Sequence, residues 1–414
     1  MAKEIILGID FSRDYSQLSY LDDTGKPKSV SIGTENNYLI PTAVCFNSEL
    51  KEWSAGDEAI NKSHSENSRL IKELPLLFNE DTEENVGKRA VPVIPDFFAY
   101  LLKLAVNQCN GRLIKNILVT VEEVNQNVLK GIKEVLTDLG YQKDDIRVIS
   151  HSESFVYYTL NQNKDIWINK VLFLELNEYE FACRRLEVVR GREPHVADVK
   201  VEDLSNLFDL EMAKKDIHSC DRILADYMDE LLKKHVVSGI YLSGAGFYLD
   251  GWQKTLQTIC RNRRVFKGNN LIVKGAAYGA KECFLPPTLD KYLISCKGRT
   301  RVKITMAVEY KGKDSNITLS NIGDYWYDAT SKMECIMEKP TKAVFEIQDL
   351  INHSNDTFKI DLRDFPEREP NTTRIEVDFR YVEENKFEIT IKDLGFGDFF
   401  ESSGMTVTRE VTLQ

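Results

Sequence analysis

The chain has 414 residues, and its 54 basic and 65 acidic side chains give a formal net charge of −11 at pH 7. This acidic excess disfavours a phosphate backbone or an anionic membrane surface as a partner, so we expect neither nucleic acid nor membrane binding. Hydrophobic residues make up 42% of the sequence, a share typical of globular chains that bury a core of their own. At about 150 residues per domain, the length predicts two or three domains.

The beginning of the sequence and its cysteines indicate the compartment. Residues 1–4 lead directly into an apolar, strand-like segment without the features of a signal peptide, and no run approaches about 18 apolar residues. The eight cysteines include no Cys-x-x-Cys pair, and the six histidines show no His-x-x-x-His spacing. Dispersed cysteines without a secretion signal are typical of reduced thiols, and no spacing indicates a metal site. We therefore expect a cytoplasmic protein without a bound metal.

Residues 1–285 alternate strand and helix patterns in two similar halves. The first half, about 1–165, opens as a β-meander whose first strand carries Asp10 near its end. Its predicted elements are strands at 5–11, 16–21 and 29–32, a helix at 95–110, a strand at 117–121, a helix at 122–139 that Gly140 ends, a strand at 147–150 and a helix at 152–160.

The second half, about 166–285, repeats this succession of a β-meander, a helix, a strand and a helix. Its predicted elements are strands at 171–176, 181–189 and 237–242 and helices at 210–234, 252–260 and 273–283. The repetition predicts a duplicated α/β fold for the domain at 1–285.

From residue 288 onward the pattern changes to short segments in which apolar and polar residues alternate. These segments lie at 301–310, 343–347, 357–362, 373–381 and 386–392, with turn-forming residues between them. The alternation predicts a separate antiparallel β-sandwich domain at 288–414, and the double proline at 286–287 marks the boundary.

Three aromatic residues flank a Gly-x-Gly turn in the last part of this predicted sandwich. They are Phe396, Phe399 and Phe400, beside Gly395 and Gly397. Aromatic side chains next to a flexible turn either form a recognition surface for a partner or fill the end of the sandwich.

Several segments of residues 3–285 resemble one known family, and they follow each other in the family's order. These segments are 8–16, 39–46, 55–59, 117–140, 150–160, 171–181, 242–246 and 275–280. Together they resemble the DnaK-type heat-shock chaperones, which belong to the actin-like ATPase superfamily. The resemblance implies a duplicated actin-like nucleotide-binding fold in a bacterial protein, followed by a β-sandwich that binds extended peptides in the chaperones.

The resemblance also implies a site for ATP or ADP with magnesium. Asp10 and Glu175 match the positions that hold magnesium through water and polarise the attacking water in the family. Ser12 and Arg13 lie in the segment that resembles the first phosphate loop. The segment that resembles the adenosine loop supplies Gly244, Ala245 and Gly246.

Both phosphate loops depart from the family. Its Gly-Thr-Thr is replaced by Ser12-Arg13-Asp14, and its Asp-Leu-Gly-Gly-Gly-Thr is replaced by Glu-Leu-Asn-Glu-Tyr-Glu at 175–180. Backbone amides approach a phosphate only past small side chains, and added carboxylates repel it. A carboxylate about 4 Å from a phosphate charge would repel it by about 4 kcal/mol, which is the interaction of two unit charges at that distance and an effective dielectric constant of about 20. The stretch 181–242 is also shorter than in the family, which implies a reduced second half.

These departures favour a degenerate DnaK-like protein that acts as a binding scaffold, a pseudo-ATPase, with a protein or peptide partner for the sandwich. The alternative is a divergent chaperone-like ATPase that uses magnesium and ATP, in which Asp10 and Glu175 are catalytic. A filament-forming or structural actin-like protein is a second alternative. The sequence contains no motif of another enzyme class, since it has no Gly-x-Ser-x-Gly, P-loop or His-Glu-x-x-His.

Overall fold

The computed structural model describes residues 4–33, 37–79, 93–109, 111–191, 193–310, 313–339, 341–349 and 354–413. The chain divides into two compact units, Met1–Tyr292 and Leu293–Gln414. The first unit mixes helices and strands, and the described strands of the second pair antiparallel. The predicted succession of an α/β region and a mostly antiparallel β region is therefore confirmed. Among the described residues, no helix is both long and apolar enough to cross a membrane.

The first half of the first unit is built around one mixed sheet. The strands of this half are β1 (Ile5–Phe11), β2 (Tyr15–Leu21), β3 (Pro27–Ser29), β4 (Ile40–Pro41), β5 (Val44–Asn47), β6 (Glu52–Ala55), β7 (Ser68–Ile71), β8 (Ile114–Val121) and β9 (Ile146–Ser150). Its helices are α1 (Asp57–Lys62), α2 (Val93–Gln108), α3 (Gln126–Asp138) and α4 (His151–Leu160). The sheet runs β3-β2-β1-β8-β9, with β1 antiparallel to β2 and parallel to β8.

The second half contains a sheet with the same strand order. Its strands are β10 (Lys170–Leu176), β11 (Phe181–Val189), β12 (His195–Asp203), β13 (Val237–Ser243) and β14 (Arg264–Lys267). Its helices are α5 (Leu210–Lys215), α6 (Ile217–Lys234), α7 (Gln253–Ile259) and α8 (Leu271–Phe284). These strands run β12-β11-β10-β13-β14, and β10 is antiparallel to β11 and parallel to β13. Strands β1 and β10 therefore occupy equivalent central positions.

Two predicted helices differ from the structure by more than two residues at one end or by a break. The helix predicted at 122–139 begins only at Gln126, because the side chain of Asn125 caps it. The helix predicted at 210–234 is two helices, α5 and α6, because Asp216 leaves the helical conformation and its carboxylate caps α6. The helix predicted at 95–110 is α2, and residue 110 lies outside the described residues.

Helices α4 and α8 connect the two halves through close contacts. Phe155 of α4 packs against Phe173 of β10, with ring centroids 5.4 Å apart. A Cβ atom on Gly8 of β1 would lie 2.6 Å from the backbone nitrogen of Ala277 in α8. Where α8 meets α4, a Cβ atom on Gly275 would lie only 2.0 Å from the carbonyl oxygen of Ser154. Each helix thus contacts the other half of the unit, and glycines allow the backbones to touch.

The second unit consists of two antiparallel sheets in its described part. Its strands are β16 (Lys303–Tyr310), β17 (Lys313–Ser320), β18 (Thr330–Met337), β19 (Lys342–Asp349), β20 (Ser354–Asp361), β21 (Thr373–Glu383), β22 (Lys386–Gly395) and β23 (Thr406–Thr412), and a short strand β15 (Tyr292–Ser295) spans the division between the units. The sheets run β17-β16-β19-β20 and β18-β21-β22-β23. Phe358 of β20 and Phe387 of β22 pack across the sheets with ring centroids 6.0 Å apart.

We predict that Gly275→Ala destabilises the protein by about 1–3 kcal/mol or more, although alanine favours helices by about 1 kcal/mol. The added methyl group has no space, since the atom that it meets belongs to the backbone of α4. Urea unfolding of the variant measures the change in free energy. The matched control is Gly268→Ala, where a Cβ atom would meet nothing within 4 Å. Equal stability of the two variants would contradict close packing between α4 and α8.

Candidate functional site

A cavity of about 310 Å³, the central cavity, lies in the first unit at the carboxyl ends of β1, β10 and β13. Five residues predicted from the sequence line it, namely Asp10, Ser12, Glu175, Gly244 and Ala245. Asp10 and Glu175 reach the cavity from equivalent strands of the two sheets. Arg13 and Gly246, which were predicted with them, do not line this cavity.

Asp10 is paired with a histidine that the sequence reasoning did not single out. His151, the first residue of α4, places Nε2 3.0 Å from Oδ1 of Asp10, and both side chains are buried. The hydroxyl of Ser12 donates a hydrogen bond to the same Oδ1 at 2.7 Å. Burial disfavours the protonated imidazole, but the charge and hydrogen bond of Asp10 raise the pKa of His151 above its usual value. The pairing with Asp10 therefore favours the positively charged form of the imidazole.

Glu175 is paired with an arginine on the neighbouring strand. Nη1 of Arg184 lies 2.9 Å from Oε2 of Glu175, and Nη2 of the same guanidinium lies 2.6 Å from Oε1 of Glu180. Asn177 also donates to Oε1 of Glu175 through Nδ2 at 3.2 Å. Burial raises the pKa of Glu175 to about 7, while the charge of Arg184 acts in the opposite direction. The guanidinium of Arg184 thus forms ion pairs with Glu175 and Glu180 at the same time.

Among the described residues, His151, Glu175 and Glu180 each bring one possible metal-ligand atom to within 4.8 Å of the others. The guanidinium of Arg184 already contacts both carboxylates of this group. Arg184 is almost fully buried at 3% exposure, and its guanidinium already supplies a positive charge to both carboxylates.

Asp14 differs from the other acidic residues of the central cavity, because no described basic side chain forms an ion pair with it. Its Oδ2 accepts a hydrogen bond from the backbone N–H of Glu178 at 3.2 Å, and its buried Oδ1 has no partner among the described residues. Burial and the charges of Glu178, Glu122 and Glu73 together raise the pKa of Asp14 to about 6, although the hydrogen bond from the N–H of Glu178 lowers it. The hydrogen bond also links the β1–β2 loop directly to the β10–β11 loop.

Arg13 is engaged with a carboxylate rather than directed at the central cavity. Its Nε lies 2.9 Å from Oε2 of Glu122, and its backbone N–H donates to Oε1 of the same residue at 3.2 Å. Its guanidinium also lies over the ring of Tyr179, 5.9 Å from the centroid. Arg13 lines a neighbouring cavity of about 330 Å³.

The glycines of the segment 242–246 have a local packing role. Gly244 has a φ of +92°, and a Cβ atom there would lie 2.4 Å from the carbonyl oxygen of Leu176. A Cβ atom on Gly246 would lie 2.2 Å from the side chain of Leu176. Between them, the backbone N–H of Ala245 donates to Oδ1 of Asn177 at 3.3 Å. Both glycines are therefore needed where this segment crosses the end of β10.

The strand register contains a signal that could have identified Arg184. In the β10–β11 hairpin Glu175 lies opposite Ala182, so Arg184 projects from the same face two residues away. A carboxylate and a guanidinium at such diagonal positions are within reach of each other. His151 carries no comparable local signal, because 141 residues separate it from Asp10.

In the second unit, a buried ion pair holds the segment that presents the three phenylalanines. Asp393 is fully buried and accepts hydrogen bonds from Arg368 at 2.6 and 2.7 Å and from the backbone N–H of Ser403 at 2.8 Å. The backbone N–H of Phe396 donates to the carbonyl of Phe400 at 2.7 Å. We call residues 393–405 the Asp393 loop.

The three phenylalanines of the Asp393 loop differ in exposure. The side chain of Phe399 is 85% exposed, whereas Phe396 and Phe400 are half-buried. The guanidinium of Arg368 lies 6.0 Å from the ring centroid of Phe400. The loop thus presents one aromatic side chain to solvent from an anchored backbone.

The chain belongs to the family described as "Family of unknown function (DUF5716) C-terminal", whose model matches residues 26–297. A second model, "Domain of unknown function (DUF8552)", matches residues 299–413. The junction between the matched ranges lies close to the division between the two units. A search of curated proteins finds no match for the chain.

We predict that Asp14→Asn stabilises the protein at pH 7.5 by about 1 kcal/mol, a value reduced for solvent screening because Asp14 is only partly buried. Its pKa is about 6 in the folded protein and about 3.9 in an unfolded chain, so the folded state binds the proton more tightly. Protonation of Asp14 therefore stabilises the folded wild-type protein at low pH, and this stabilisation is lost as the pH rises from about 4 to about 6. The variant has no such loss.

Urea unfolding of both proteins at pH 4.5 and pH 7.5 measures the effect. The advantage of the variant is expected to shrink at the lower pH. Asp57→Asn is the control, since it removes an exposed carboxylate of α1 that does not line the central cavity. An advantage of Asp14→Asn that is independent of pH would show that burial does not raise the pKa of Asp14.

Proposed function

We propose that the first unit is a degenerate actin-like, DnaK-like nucleotide-binding fold that acts as a binding scaffold, a pseudo-ATPase, and that the second unit binds a protein or peptide. The relationship to the actin-like fold is supported by the repeated strand order of the two sheets. It is also supported by the positions of Asp10 and Glu175 at equivalent strand ends that face one cavity.

The observation that carries the pseudo-ATPase proposal is the internal neutralisation of these two acidic residues. In the family that the sequence resembles, the corresponding carboxylates act on magnesium and water. Here Asp10 bonds His151 at 3.0 Å and Glu175 bonds Arg184 at 2.9 Å. A carboxylate that is already paired with a buried cation attracts a metal ion much less, because the net charge of the pair is near zero.

The two loops that correspond to the phosphate loops also fit a magnesium nucleotide poorly. The hydrogen bond from the N–H of Glu178 to Asp14 joins the loops directly, and a phosphate group between them would have to break it. Asp14 and Glu122 add carboxylates to the lining of the cavity, and the guanidinium of Arg13 is held by Glu122. Each of these features opposes a triphosphate.

One observation favours the alternative of a divergent ATPase. The sequence resemblance assigns seven residues to a nucleotide site, and five of them line the central cavity: Asp10, Ser12, Glu175, Gly244 and Ala245. Arg13 and Gly246 do not. The common location is what an active nucleotide site would require. The two proposals therefore differ in whether magnesium nucleotide binds.

We expect that millimolar ATP or ADP with magnesium leaves the melting temperature of the protein unchanged. A ligand at 100 times its Kd stabilises a protein by about 2.7 kcal/mol, which raises the melting temperature by several degrees. Thermal unfolding with and without nucleotide measures this directly, and magnesium alone is the reference. An increase that disappears in Asp10→Ala and Glu175→Ala would refute the pseudo-ATPase proposal and establish the ATPase alternative as the next to test by phosphate release.

The partner-binding role of the second unit is supported by the Asp393 loop. An exposed aromatic side chain on a backbone that is already ordered loses little conformational entropy on binding. Phe399 meets this description, because Asp393 anchors the loop through several hydrogen bonds and the ring is 85% exposed. Aromatic residues of this kind dominate many protein interfaces.

Replacement of Phe399 by alanine is expected to change the free energy of unfolding by less than about 0.5 kcal/mol, because an exposed ring contributes little to the folded state. Phe387→Ala, at a fully buried position of β22, is the matched control and is expected to lose about 3–5 kcal/mol. Urea unfolding compares the two variants. A loss of more than about 1 kcal/mol in Phe399→Ala would assign this ring to the end of the sandwich rather than to recognition.

A further inference from the structure

Strand β14 lies at an open edge of the second sheet. It is the last strand in the order β12-β11-β10-β13-β14, and among the described elements β13 is the one that contacts it extensively. Three of its four residues are exposed, and the fourth, Val265, is partly buried. No described strand pairs with the outer side of β14, so its backbone groups have no sheet partner there.

A hydrogen bond at the end of β14 shows which of its backbone groups point outward. The backbone N–H of Gly268 donates to the carbonyl of Leu242 in β13 at 3.0 Å. Along an extended strand the N–H and C=O groups of successive residues point to opposite sides, so those of Lys267 and Val265 point away from β13. Each of these two residues offers one donor and one acceptor at the open edge. A second polypeptide strand has the alternating donors and acceptors that complement this pattern.

The residues at this edge are strongly basic. The stretch 261–267 contains four basic residues and no acidic one, and the basic residues are Arg261, Arg263, Arg264 and Lys267. Among the described residues, one of the four forms an ion pair, since Nη2 of Arg264 lies 3.5 Å from Oδ2 of Asp165. Both side chains of this pair are exposed, so it contributes little. The edge therefore carries a local excess of positive charge in a chain whose net charge is −11.

One exposed aromatic ring lies between these cations. Phe266 is 38% exposed, and its ring stacks on that of Tyr241 in β13 with the centroids 5.1 Å apart. Tyr241 in turn packs against Tyr158 of α4, with ring centroids 5.6 Å apart. This packing holds one face of Phe266 in place and leaves the rest of the ring open beside the edge. An apolar side chain of an added strand has a surface to contact there.

We propose that the edge of β14 binds an acidic, extended segment of a partner protein, which adds a strand to the second sheet. The backbone of the segment pairs with Val265 and Lys267, and its carboxylates lie beside Arg264 and the neighbouring cations. Charged residues on an edge strand exclude neutral or basic strands, and the same charges favour an acidic one. The inference goes beyond the proposed function and does not depend on nucleotide binding, since no residue of 261–267 lines the central cavity.

Three hexapeptides of matched size test the proposal. The first is Glu-Val-Glu-Thr-Glu-Val with blocked termini, and the second has glutamine in place of each glutamate. The third is the acidic peptide with N-methyl groups on its third and fourth residues, so that it keeps its charge but loses a backbone donor on each edge. Titration calorimetry of the full chain measures the affinity for each peptide, at concentrations up to about 1 mM.

The acidic peptide is expected to bind about fivefold or more tightly than the glutamine peptide, because exposed ion pairs contribute that much affinity. It is expected to bind about tenfold or more tightly than the N-methylated peptide, because the latter cannot form the same backbone hydrogen bonds. Equal affinity for the acidic and N-methylated peptides would overturn the proposal, since charge alone would then explain binding. No binding of any peptide would overturn it as well.

Variants test the residues assigned to the edge. Arg264→Gln combined with Lys267→Gln removes two charges from β14 and is expected to weaken binding of the acidic peptide by about fivefold or more. Lys103→Gln combined with Lys130→Gln removes the same charge from exposed positions of α2 and α3, and this control is expected to bind as the wild type does. Unchanged affinity in the β14 variant, or an equal loss in the control, would overturn the assignment.

Two further arms complete the test. Arg261→Gln combined with Arg263→Gln changes residues before the strand, so it decides the role of the cations by the same comparison if the β14 variant does not fold. A short oligodeoxythymidine is the polyanion without N–H donors in its backbone, and it is expected to bind more weakly than the acidic peptide. Binding of the oligonucleotide as tightly as the peptide would overturn the proposal, because the outward carbonyls of β14 would then have no part in recognition.

Discussion

The arrangement of the first unit depends on the close contact between α4 and α8. Gly275 brings the backbone of α8 against the carbonyl of Ser154, and no other residue type has space there. Because α4 also packs against β10 and α8 against β1, this contact holds the two sheets in a fixed relation. It places His151, the first residue of α4, beside Asp10. The carboxyl ends of β1 and β10 meet at the central cavity as a consequence.

Charge within this cavity is balanced almost entirely by the protein itself. Buried carboxylates are unfavourable unless a cation or several donors accompany them, and His151, Arg184 and Arg13 each supply one. In a magnesium nucleotide site that balance comes from the metal, and the nucleotide phosphates balance the metal in turn. Substitution of protein cations compensates these carboxylates without a ligand, whereas Asp14 forms no ion pair with any described residue. The balance thus supports the proposal of a scaffold.

The second unit follows the same principle on a smaller scale. Asp393 is a buried carboxylate in the segment after β22, and Arg368 together with nearby backbone and hydroxyl donors compensates it. These hydrogen bonds hold the backbone of a loop in which Gly395 and Gly397 both have positive φ. On this anchored backbone the ring of Phe399 is exposed to solvent and does not pack onto the sheet.

The sequence by itself determined the α/β region, the antiparallel β region after the double proline, and the segments that supply Asp10, Glu175 and Gly244. These depend on local periodicity and on strand ends, which short windows of sequence contain. The helix bounds at Asn125 and Asp216 were missed, because a single capping side chain outweighs the apolar pattern. Only the tertiary structure decided that His151 pairs with Asp10 and that the N–H of Glu178 donates to Asp14. It also decided that Oε1 of Gln17 has no hydrogen-bond partner among the described residues. The reason is physical: burial and ion pairing join residues far apart in the chain, and no local pattern records which of them meet.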